Sequence, residues 1–157
     1  FRTDFLTLTR GTGIANAVFD GYRPWAGEIR ARHTGSLVSD RTGSVTPFAM
    51  MQLADRGQFF VEPGDDTYEG QVVGINPRAE DLDVNVTREK KLTNMRQSTS
   101  DVMETLARPL ELGLEQAMEF CAEDECVEVT PEIVRVRKAE LDATSRARAK
   151  SRAKARG

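Results

Sequence analysis

The run CVEVTPEIVRVR, residues 126–137, decides how this chain folds. It holds two segments rich in β-branched residues, 126–130 and 133–137, with Pro131 and Glu132 between them. Two such segments joined by a short connection are typical of a β-hairpin or of a tight corner between strands. The sequence therefore predicts paired strands at this end of the chain.

Further β-rich runs precede this pair and favour the same kind of sheet. We predict strands over residues 28–33, 36–39, 58–61 and 68–75. The last of these runs, YEGQVVGI, carries two glycines. Glycine inside a strand indicates a bulge or a close approach of another backbone.

Two segments have the features of helices. Pro47–Leu53 begins with a proline, which is favoured at the first helical position. Residues 110–122 place their apolar side chains on one helical face. These side chains are Leu110, Leu114, Ala117, Met118 and Cys121. A few helices beside a mainly antiparallel sheet define an α+β fold, and that is the fold class we predict.

The two ends of the chain differ from its middle. Residues 1–10 have the pattern of the end of an amphipathic helix closed by Gly11, and residues 14–22 are predicted to form a short strand. Because the sequence opens inside this helix and without a methionine, we expect a C-terminal fragment of a longer protein. The expected divisions are residues 1–25, residues 26–142, and a basic tail, residues 143–157, that is helical or, more readily, disordered.

Composition excludes several classes of protein. The chain has 157 residues, with 22 Lys and Arg against 25 Asp and Glu. No apolar stretch approaches the roughly 20 residues that span a bilayer, so we expect no membrane contact of that kind. The first residues lack the apolar core of a signal peptide. Two cysteines, Cys121 and Cys126, make no disulfide scaffold and favour reduced, partly buried thiols in a cytoplasmic protein.

No catalytic, metal or cofactor motif is recognisable in the sequence. The phosphate-binding pattern G-x-x-x-x-G-K-[ST] does not occur. The run DLDVN, residues 81–85, starts like a calcium loop, but Val86 stands where glycine is needed and Leu92 where glutamate is needed. The only histidine, His33, has no evident nucleophile or set of zinc ligands to join. We therefore expect no cofactor in this chain.

Charge is distributed unevenly along the chain. The net charge is −3, yet residues 97–132 hold ten acids and one base, while residues 87–96 hold four bases and one acid. Separate blocks of opposite charge indicate a polyanionic partner at the basic blocks. Residues 76–100 also lack a helical period, and an irregular stretch of this length in a compact domain is usually functional or disordered.

This long basic loop supplies the candidate site residues. Cationic side chains can neutralise phosphates, and Asn or Thr side chains can bond to sugar or base edges. RNA binding is one interpretation, and an ordinary solvated loop is the other. The candidate RNA-binding residues are Arg78, Asn85, Arg88, Lys90, Lys91, Thr93, Asn94 and Arg96.

A protein–protein contact is a further alternative. Glu111, Glu115 and Glu119 recur at every fourth position of the predicted helix and form an acidic face. Such a face can attract a cationic partner. It is explained as well by exposure to solvent, because like charges at this spacing only weaken a helix slightly.

Several of these runs together resemble the C-terminal part of the TypA/BipA family of translational GTPases. The resemblance proceeds in order over residues 1–141 and does not cover the basic tail. Its most specific signals are D-L-x-V-N and K-L-T-N-x-R. The matching runs are FRTDFLTLTRGTGIANAVFDGY (1–22), RGQFFV (56–61), YEGQVVG (68–74), DLDVN (81–85), KLTNMR (91–96), LEQA (114–117) and DECVEVTP (124–131).

The resemblance implies a multidomain parent similar to elongation factor G, whose GTPase domain, with GTP and Mg²⁺, lies upstream of this chain. Residues 1–25 would be the last helix and strand of an α/β domain, and residues 26–142 a domain special to the family. In the family, a long loop of that domain reaches the peptidyl-transferase region of the large ribosomal subunit and contacts the acceptor end of A-site tRNA. The matching loop here is residues 76–96.

The function implied by the resemblance is binding to the bacterial ribosome, through large-subunit rRNA and A-site tRNA. We expect a monomeric, cytoplasmic module that serves ribosome assembly and stress adaptation. The alternative is the GTP hydrolase activity of the parent. Because the phosphate-binding motif is absent, we expect this chain neither to bind nor to hydrolyse GTP.

Overall fold

A computed structural model of the chain describes residues 5, 8–25, 27, 32–90 and 106–155. The chain divides into two compact units, Phe1–Ala31 and Arg32–Gly157, and each is described by itself. The strand predicted at residues 28–33 lies mostly outside the described residues. The predicted boundary between residues 25 and 26 stays a prediction.

The first unit contains a helical turn followed by an irregular segment. The backbone N–H of Thr9 donates to the carbonyl of Phe5 at 3.0 Å, and Gly11 has a φ of +76°. A glycine in this left-handed conformation commonly ends a helix, as predicted for Gly11. Residues 12–25 form neither helix nor strand, which corrects the strand predicted at residues 14–22. A strand needs a hydrogen-bonded neighbour, and Ile14 and Val18 are instead 86% and 89% exposed.

The second unit is an α+β domain with a mainly antiparallel sheet, as predicted. Its strands are β1 (Gly35–Ser39), β2 (Gly43–Ser44), β3 (Gln58–Phe59), β4 (Asp66–Thr67), β5 (Gln71–Asn76), β6 (Leu82–Val84), β7 (Glu125–Val129) and β8 (Val134–Lys138). Its helices are α1 (Pro47–Leu53), α2 (Leu114–Phe120) and α3 (Ala143–Lys154). A short 3-10 turn, Ala54–Arg56, follows α1.

The main sheet has the strand order β6-β1-β5-β8-β7, with β3 also paired to β5, and β2 pairs with β4 separately. These pairings are antiparallel except that β1 and β6 are parallel. β7 and β8 form the predicted hairpin, in continuous register from Glu125 opposite Lys138 to Val129 opposite Val134.

Strand β5 lies at the centre of the sheet and has the irregularity that its glycines predict. Leu37 pairs with Gly74 and Val38 with Val72, which leaves Val73 as an extra residue opposite β1. An extra residue of this kind is a β-bulge. A Cβ added to Gly74 would lie 2.5 Å from a carbonyl oxygen of β3, so the close approach of β3 requires glycine here.

Two hydrophobic clusters pack on the two faces of the sheet. Successive strand residues point to opposite faces, and the neighbours Leu37 and Val38 accordingly belong to different clusters. Cluster 1 is Leu37, Val45, Met50, Phe59, Val61, Val73, Val84 and Val86, and cluster 2 is Val38, Val72, Ala117 and Val136. Helix α1 supplies Met50 to the first cluster, and α2 supplies Ala117 to the second.

Helix α1 has the predicted bounds, whereas α2 is shorter than the predicted helix at residues 110–122. Thr46 caps α1 and Pro47 opens it. α2 begins only at Leu114, because the backbone of Gly113 is extended and caps the helix, with its N–H donating to the side-chain oxygen of Gln116 at 2.9 Å. The segment before α2 is bound to β3, where the N–H of Leu110 donates to the carbonyl of Phe59 at 2.8 Å.

The predicted apolar face of α2 is only partly correct. Ala117 is fully buried, but Leu114 and Met118 are 46% and 63% exposed. Phe120 completes the contact by packing edge-to-face on Phe60, with ring centroids 5.3 Å apart. A small residue and one ring therefore fix this helix, which leaves its other apolar side chains accessible.

The basic tail forms a helix, which corrects the expectation that it is disordered. Arg146, on α3, is 8% exposed, and its guanidinium donates to the carboxylate of Asp83. Lys150, one helical turn later, lies 3.1 Å from Asp81. Charge pairs rather than apolar contacts hold α3 in place. The lack of large apolar residues after Leu141 is therefore no sign of disorder.

The thiols of the second unit behave as structural groups. Cys121 and Cys126 are free and half-buried, as predicted. Burial, and then the charge of Glu125, raises the pKa of the Cys121 thiol, so it is less reactive than an exposed one. Within the described ranges, no helix is both long and apolar enough to cross a bilayer.

Candidate nucleic-acid interface

The first part of the candidate segment is built into the sheet. β6 pairs with β1, and Val84 and Val86 are 5% and 0% exposed within cluster 1. The irregular stretch expected over residues 76–100 is therefore wrong for Asn76, in β5, and for residues 82–84, in β6. The sequence does contain a signal for this strand, because DLDVNV alternates polar and apolar residues as half-buried strands do.

A tight turn leads from β5 into β6 and presents Arg78. The side-chain amide of Asn76 donates to the carbonyl of Glu80 at 2.6 Å, and its oxygen accepts from the N–H of Arg78 at 3.2 Å. The carbonyl of Arg78 accepts from the N–H of Gly35 at 2.6 Å. These bonds fix the backbone of the turn while the side chain of Arg78 stays exposed.

Asn85 makes a local contact that shapes the end of β6. Its side-chain oxygen accepts from the N–H of Thr87 at 3.0 Å and from the Thr87 hydroxyl at 3.1 Å. An asparagine that bonds to the backbone two residues on forms an Asx turn. Asn85 therefore directs the chain away from the sheet at this point.

Thr46 fixes the place where the segment leaves the domain. Its N–H donates to the carbonyl of Val86 at 2.9 Å, and its hydroxyl donates to the carbonyl of Arg88 at 2.6 Å. The same hydroxyl accepts from the N–H of Ala49 and so caps helix α1. One residue thus ties the start of the exposed stretch to the start of a helix.

Cluster 1 includes residues on both sides of the part of the segment that lies outside the described residues. Val86 belongs to it, and Leu106 packs against it. The N–H of Leu110 then binds the carbonyl of Phe59 on β3. The described residues that flank residues 91–105 are therefore fixed on one hydrophobic cluster. Four of the candidate residues lie in that stretch, outside the described residues: Lys91, Thr93, Asn94 and Arg96.

The structure does not bring the described cations of the segment into one group. Arg78 precedes β6, whereas Arg88 and Lys90 follow it and are exposed. The guanidinium of Arg88 lies 3.4 Å from the side-chain oxygen of Gln52 on α1. None of the three cations forms an ion pair with a described residue. Their charges therefore remain available to an anion.

A buried ionic cluster lies at the start of β6 and was missed in the sequence. It consists of Arg32, Asp81, Glu125 and Lys138. The ammonium group of Lys138, 1% exposed, lies 2.7 Å from Asp81 and 2.9 Å from Glu125. The guanidinium of Arg32 lies 2.9 Å from Glu125, whose other oxygen accepts from the hydroxyl of Ser36 at 2.5 Å. The cluster thus joins β7 and β8 to Asp81, the residue immediately before β6.

The signal for this cluster is the alternation of β8. Val134 and Val136 both pack in cluster 2, so Lys138 must point to the same face of the sheet. A lysine at an inward position is almost never buried unless it is paired. The pattern therefore implies acidic partners, although it cannot tell which ones.

Hydrogen bonding keeps the members of the cluster charged. Burial would raise the pKa of Asp81, but hydrogen bonds from Lys138 and from the N–H of Ser36 lower it to about 2. Burial would likewise raise the pKa of Glu125, but it is lowered by hydrogen bonds from the Ser36 hydroxyl, the N–H of Ala122 and Lys138. Burial would lower the pKa of Lys138, yet the two carboxylates raise it.

We expect the second unit to lose stability between about pH 4 and about pH 2. A carboxyl group whose pKa is lower in the folded state contributes stability that is complete above its unfolded pKa and is lost as the pH falls through the folded one. Asp81 has this property. Urea unfolding at a series of pH values measures it, and Asp81→Asn should give a flatter profile. An equally steep profile in the variant would assign the effect to other carboxylates.

The chain matches a known protein family over its second unit. Residues 34–143 match the model of the TypA/BipA C-terminal domain. That range contains every strand of the described sheet, with helices α1 and α2, and ends where α3 begins.

Similar proteins from three bacteria carry the name large ribosomal subunit assembly factor BipA. The one from Salmonella typhimurium is 45% identical over 152 residues, which are 95% of this chain and 25% of the relative. The one from Bacillus subtilis is 43% identical over 158 aligned positions, or 100% and 26%. The one from Synechocystis is 43% identical over 138 residues, or 88% and 23%. The chain therefore spans about a quarter of the length of these relatives.

Proposed function

The chain belongs to the TypA/BipA family, and from this premise we propose that it is a ribosome-binding module. Its segment at residues 76–96 contacts large-subunit rRNA and A-site tRNA. The observation that carries the proposal is the combination of anchoring and charge in this segment. The described residues that flank residues 91–105 are fixed on cluster 1, while Arg78, Arg88 and Lys90 are exposed without ion pairs to described residues.

Firm attachment of the segment to the domain favours RNA binding. Phosphate contacts supply much of the affinity for nucleic acid, and they require cations that are not already neutralised. The cations of the ionic cluster, with Arg146 and Lys150 of α3, are paired with carboxylates, so they serve the fold instead. Arg88 and Lys90, together with Lys91 and Arg96, are the residues to which we assign phosphate contacts.

The uncharged residues of the segment have a different role in the proposal. Thr93 and Asn94 can donate to and accept from sugar and base edges, and single-stranded RNA ends are recognised in this way. We assign them to the acceptor end of A-site tRNA. Asn85, which already holds Thr87, contributes by directing the segment outward.

The wider role follows from the premise of family membership. We propose that the module acts as a monomer in the bacterial cytoplasm, in assembly of the large subunit and in stress adaptation. The name of the relatives supports the role in assembly of the large subunit. GTP and Mg²⁺ do not fit this chain, since it has no glycine-rich phosphate-binding loop, and they would belong to the GTPase domain of a longer parent.

Changing Arg88, Lys90, Lys91 and Arg96 together to Ala should weaken ribosome binding at least about tenfold at physiological salt. Each lost phosphate contact should also lower the log–log dependence of affinity on salt by about one unit. Pelleting of the chain with ribosomes over a salt series measures both quantities. A variant that binds as tightly as the unchanged chain at every salt concentration would refute the RNA-binding role of the segment.

Two controls separate this role from a general effect of charge. The first removes four exposed arginines outside the segment and should change affinity far less. Its substituted residues are Arg10, Arg23, Arg56 and Arg108. The second, Asn94→Ala, removes no charge, so it should leave the salt dependence unchanged while reducing the effect of A-site tRNA on binding.

A further inference from the structure

A cavity of about 490 Å³ opens where strand β5 changes its neighbour. β1 occupies one edge of β5 from Val72 to Asn76. On the other edge, β8 pairs with Gln71 and Val72, and β3 pairs with Gly74 and Ile75. Because two strands share that edge end to end, they diverge beyond their pairs, and the cavity lies between them.

The floor of the cavity is apolar and partly open to solvent. Phe60, Val72 and Val136 line it from cluster 2. Leu110 and Ile133 stand at its mouth and are 38% and 42% exposed. Apolar surface of this kind can bury a partner side chain, which is favourable in proportion to the area removed from water.

Two polar atoms in the lining lack hydrogen-bond partners. Gln71 is 3% exposed, and its side-chain oxygen accepts no bond from the described residues. The Nε of Arg135 is likewise buried and donates to none of them. Unpaired buried groups are rare because each costs free energy. Both atoms are closed off from solvent, so they mark strain beneath the lining rather than groups that a ligand meets directly.

The rim of the cavity carries a strong negative charge. Five carboxylates line it against the single guanidinium of Arg135, and they belong to Glu62, Asp65, Asp66, Glu111 and Glu132. None of the five forms an ion pair with a described residue, whereas Asp81 and Asp83, beside α3, are paired. This rim repels phosphates and attracts Lys and Arg side chains.

We propose that this groove binds an extended, basic peptide segment of a protein partner, with an apolar side chain between Lys or Arg residues. The apolar residue enters the floor beside Ile133, and the flanking cations meet the rim. Pockets for alternate side chains are a common means of recognising extended peptides. The site shares no residue with the basic segment, so it stands independently of the ribosome contact proposed above.

The test uses the whole chain and a fluorescent, acetylated peptide in which Lys and Arg alternate with Val. Binding is followed by anisotropy, and the side-chain amide resonance of Gln71 reports contact at the floor. Glu111→Lys with Glu132→Lys should weaken binding about tenfold. Glu115→Lys with Glu119→Lys is the matched control, because it makes the same change in charge on exposed residues of α2 outside the groove, and it should alter affinity less than about twofold.

The outcomes distinguish the groove from simple attraction between opposite charges. A peptide with Glu in place of Lys and Arg should not bind, and a single-stranded RNA should not displace the basic peptide. Equal weakening by both charge-reversal pairs, no shift of the Gln71 amide, or no binding by the unchanged chain would each overturn the proposal. Loss of ribosome binding in the segment variant with intact peptide binding would leave it standing.

Discussion

Replacing Lys138 by Met is expected to lower the free energy of unfolding of the second unit by about 3–5 kcal/mol. The ammonium group is buried among the carboxylates of Asp81 and Glu125. Without it, Asp81, Glu125 and the third partner of Lys138, Asp124, keep Arg32 as their only largely buried cation, since Lys150 beside Asp81 is exposed. Removing one partner of a buried ion pair costs far more than the net value of the pair, because the remaining charge loses its compensation without regaining water.

Lys150→Met is the matched control for this prediction. It removes the same charge from a side chain that is 61% exposed and lies 3.1 Å from Asp81. An exposed pair of this kind contributes less than about 1 kcal/mol. Adding Glu125→Gln to Lys138→Met restores the balance of charge and should recover part of the loss. Urea unfolding followed by far-UV circular dichroism suits the measurement, because the only tryptophan, Trp25, lies in the other unit.

If the two lysine substitutions lowered the free energy of unfolding equally, burial of the Lys138 charge would not explain its contribution to stability. So would a double variant no more stable than Lys138→Met, since the loss would then come from packing of the aliphatic stem. The expected order of stability is the unchanged chain, Lys150→Met, the double variant and finally Lys138→Met. That order depends on burial and charge balance alone.

Local signals in the sequence were sufficient where neighbours along the chain determine the structure. The hairpin of β7 and β8 needs only two β-rich runs and the Pro131-Glu132 connection. Helix α1 needs only Thr46, Pro47 and the short run that follows. In both, the interactions that set the bounds join residues close in sequence, so pattern and turn chemistry predict them.

Contacts between distant residues explain where the predictions were wrong. The segment before α2 is bound to Phe59, about fifty residues earlier in the chain, and the helix starts only after Gly113. α3 is placed by the contact of Arg146 with Asp83, which no local pattern reveals. The strand expected at residues 14–22 has suitable side chains and no neighbour to pair with among the described residues. A distant contact, present or missing, thus bears on each of these elements.

The candidate site shows the same division. Composition alone singled out the basic segment and its phosphate-binding cations. It could not show that β6 is part of the sheet, that Asn85 is engaged with Thr87, or that Thr46 ties the segment to α1. These contacts attach the basic segment to the sheet and to α1. They depend in turn on the hydrophobic core of the domain.

The pairing of β3 with β5 helps to hold the basic segment in place, and this pairing depends on Gly74. Gly74 pairs with Leu37 on one side and Phe59 on the other. Phe59 in turn accepts the N–H of Leu110, which holds the returning end of the segment. Any side chain at Gly74 would therefore disturb both the centre of the sheet and this anchor.

Gly74→Val is expected to destabilise the second unit by about 3 kcal/mol or more. Its Cβ would lie 2.5 Å from the carbonyl oxygen of Gln58 and 3.1 Å from the Cα of Phe59, and backbone atoms cannot move aside as a side chain can. Gly43→Ala is the control, because its nearest neighbour is the Cγ2 of Thr87 at 3.0 Å, and it should cost less than about 1 kcal/mol.

Gly74→Ala brings in the same Cβ without the two methyl groups of valine, so it should cost less than Gly74→Val while still displacing β3, and hydrogen exchange can locate the effect. Amide protection should fall at Phe60 and Leu110, whose N–H groups bond to β5 and β3, and should stay high along the β7–β8 hairpin. Ribosome affinity should fall in the same variant, since the segment loses its returning anchor although every cation remains. Lower ribosome affinity with unchanged amide protection at Leu110 would show that the loss of affinity does not come from β3. The conclusion that β3 supports the segment would then be wrong.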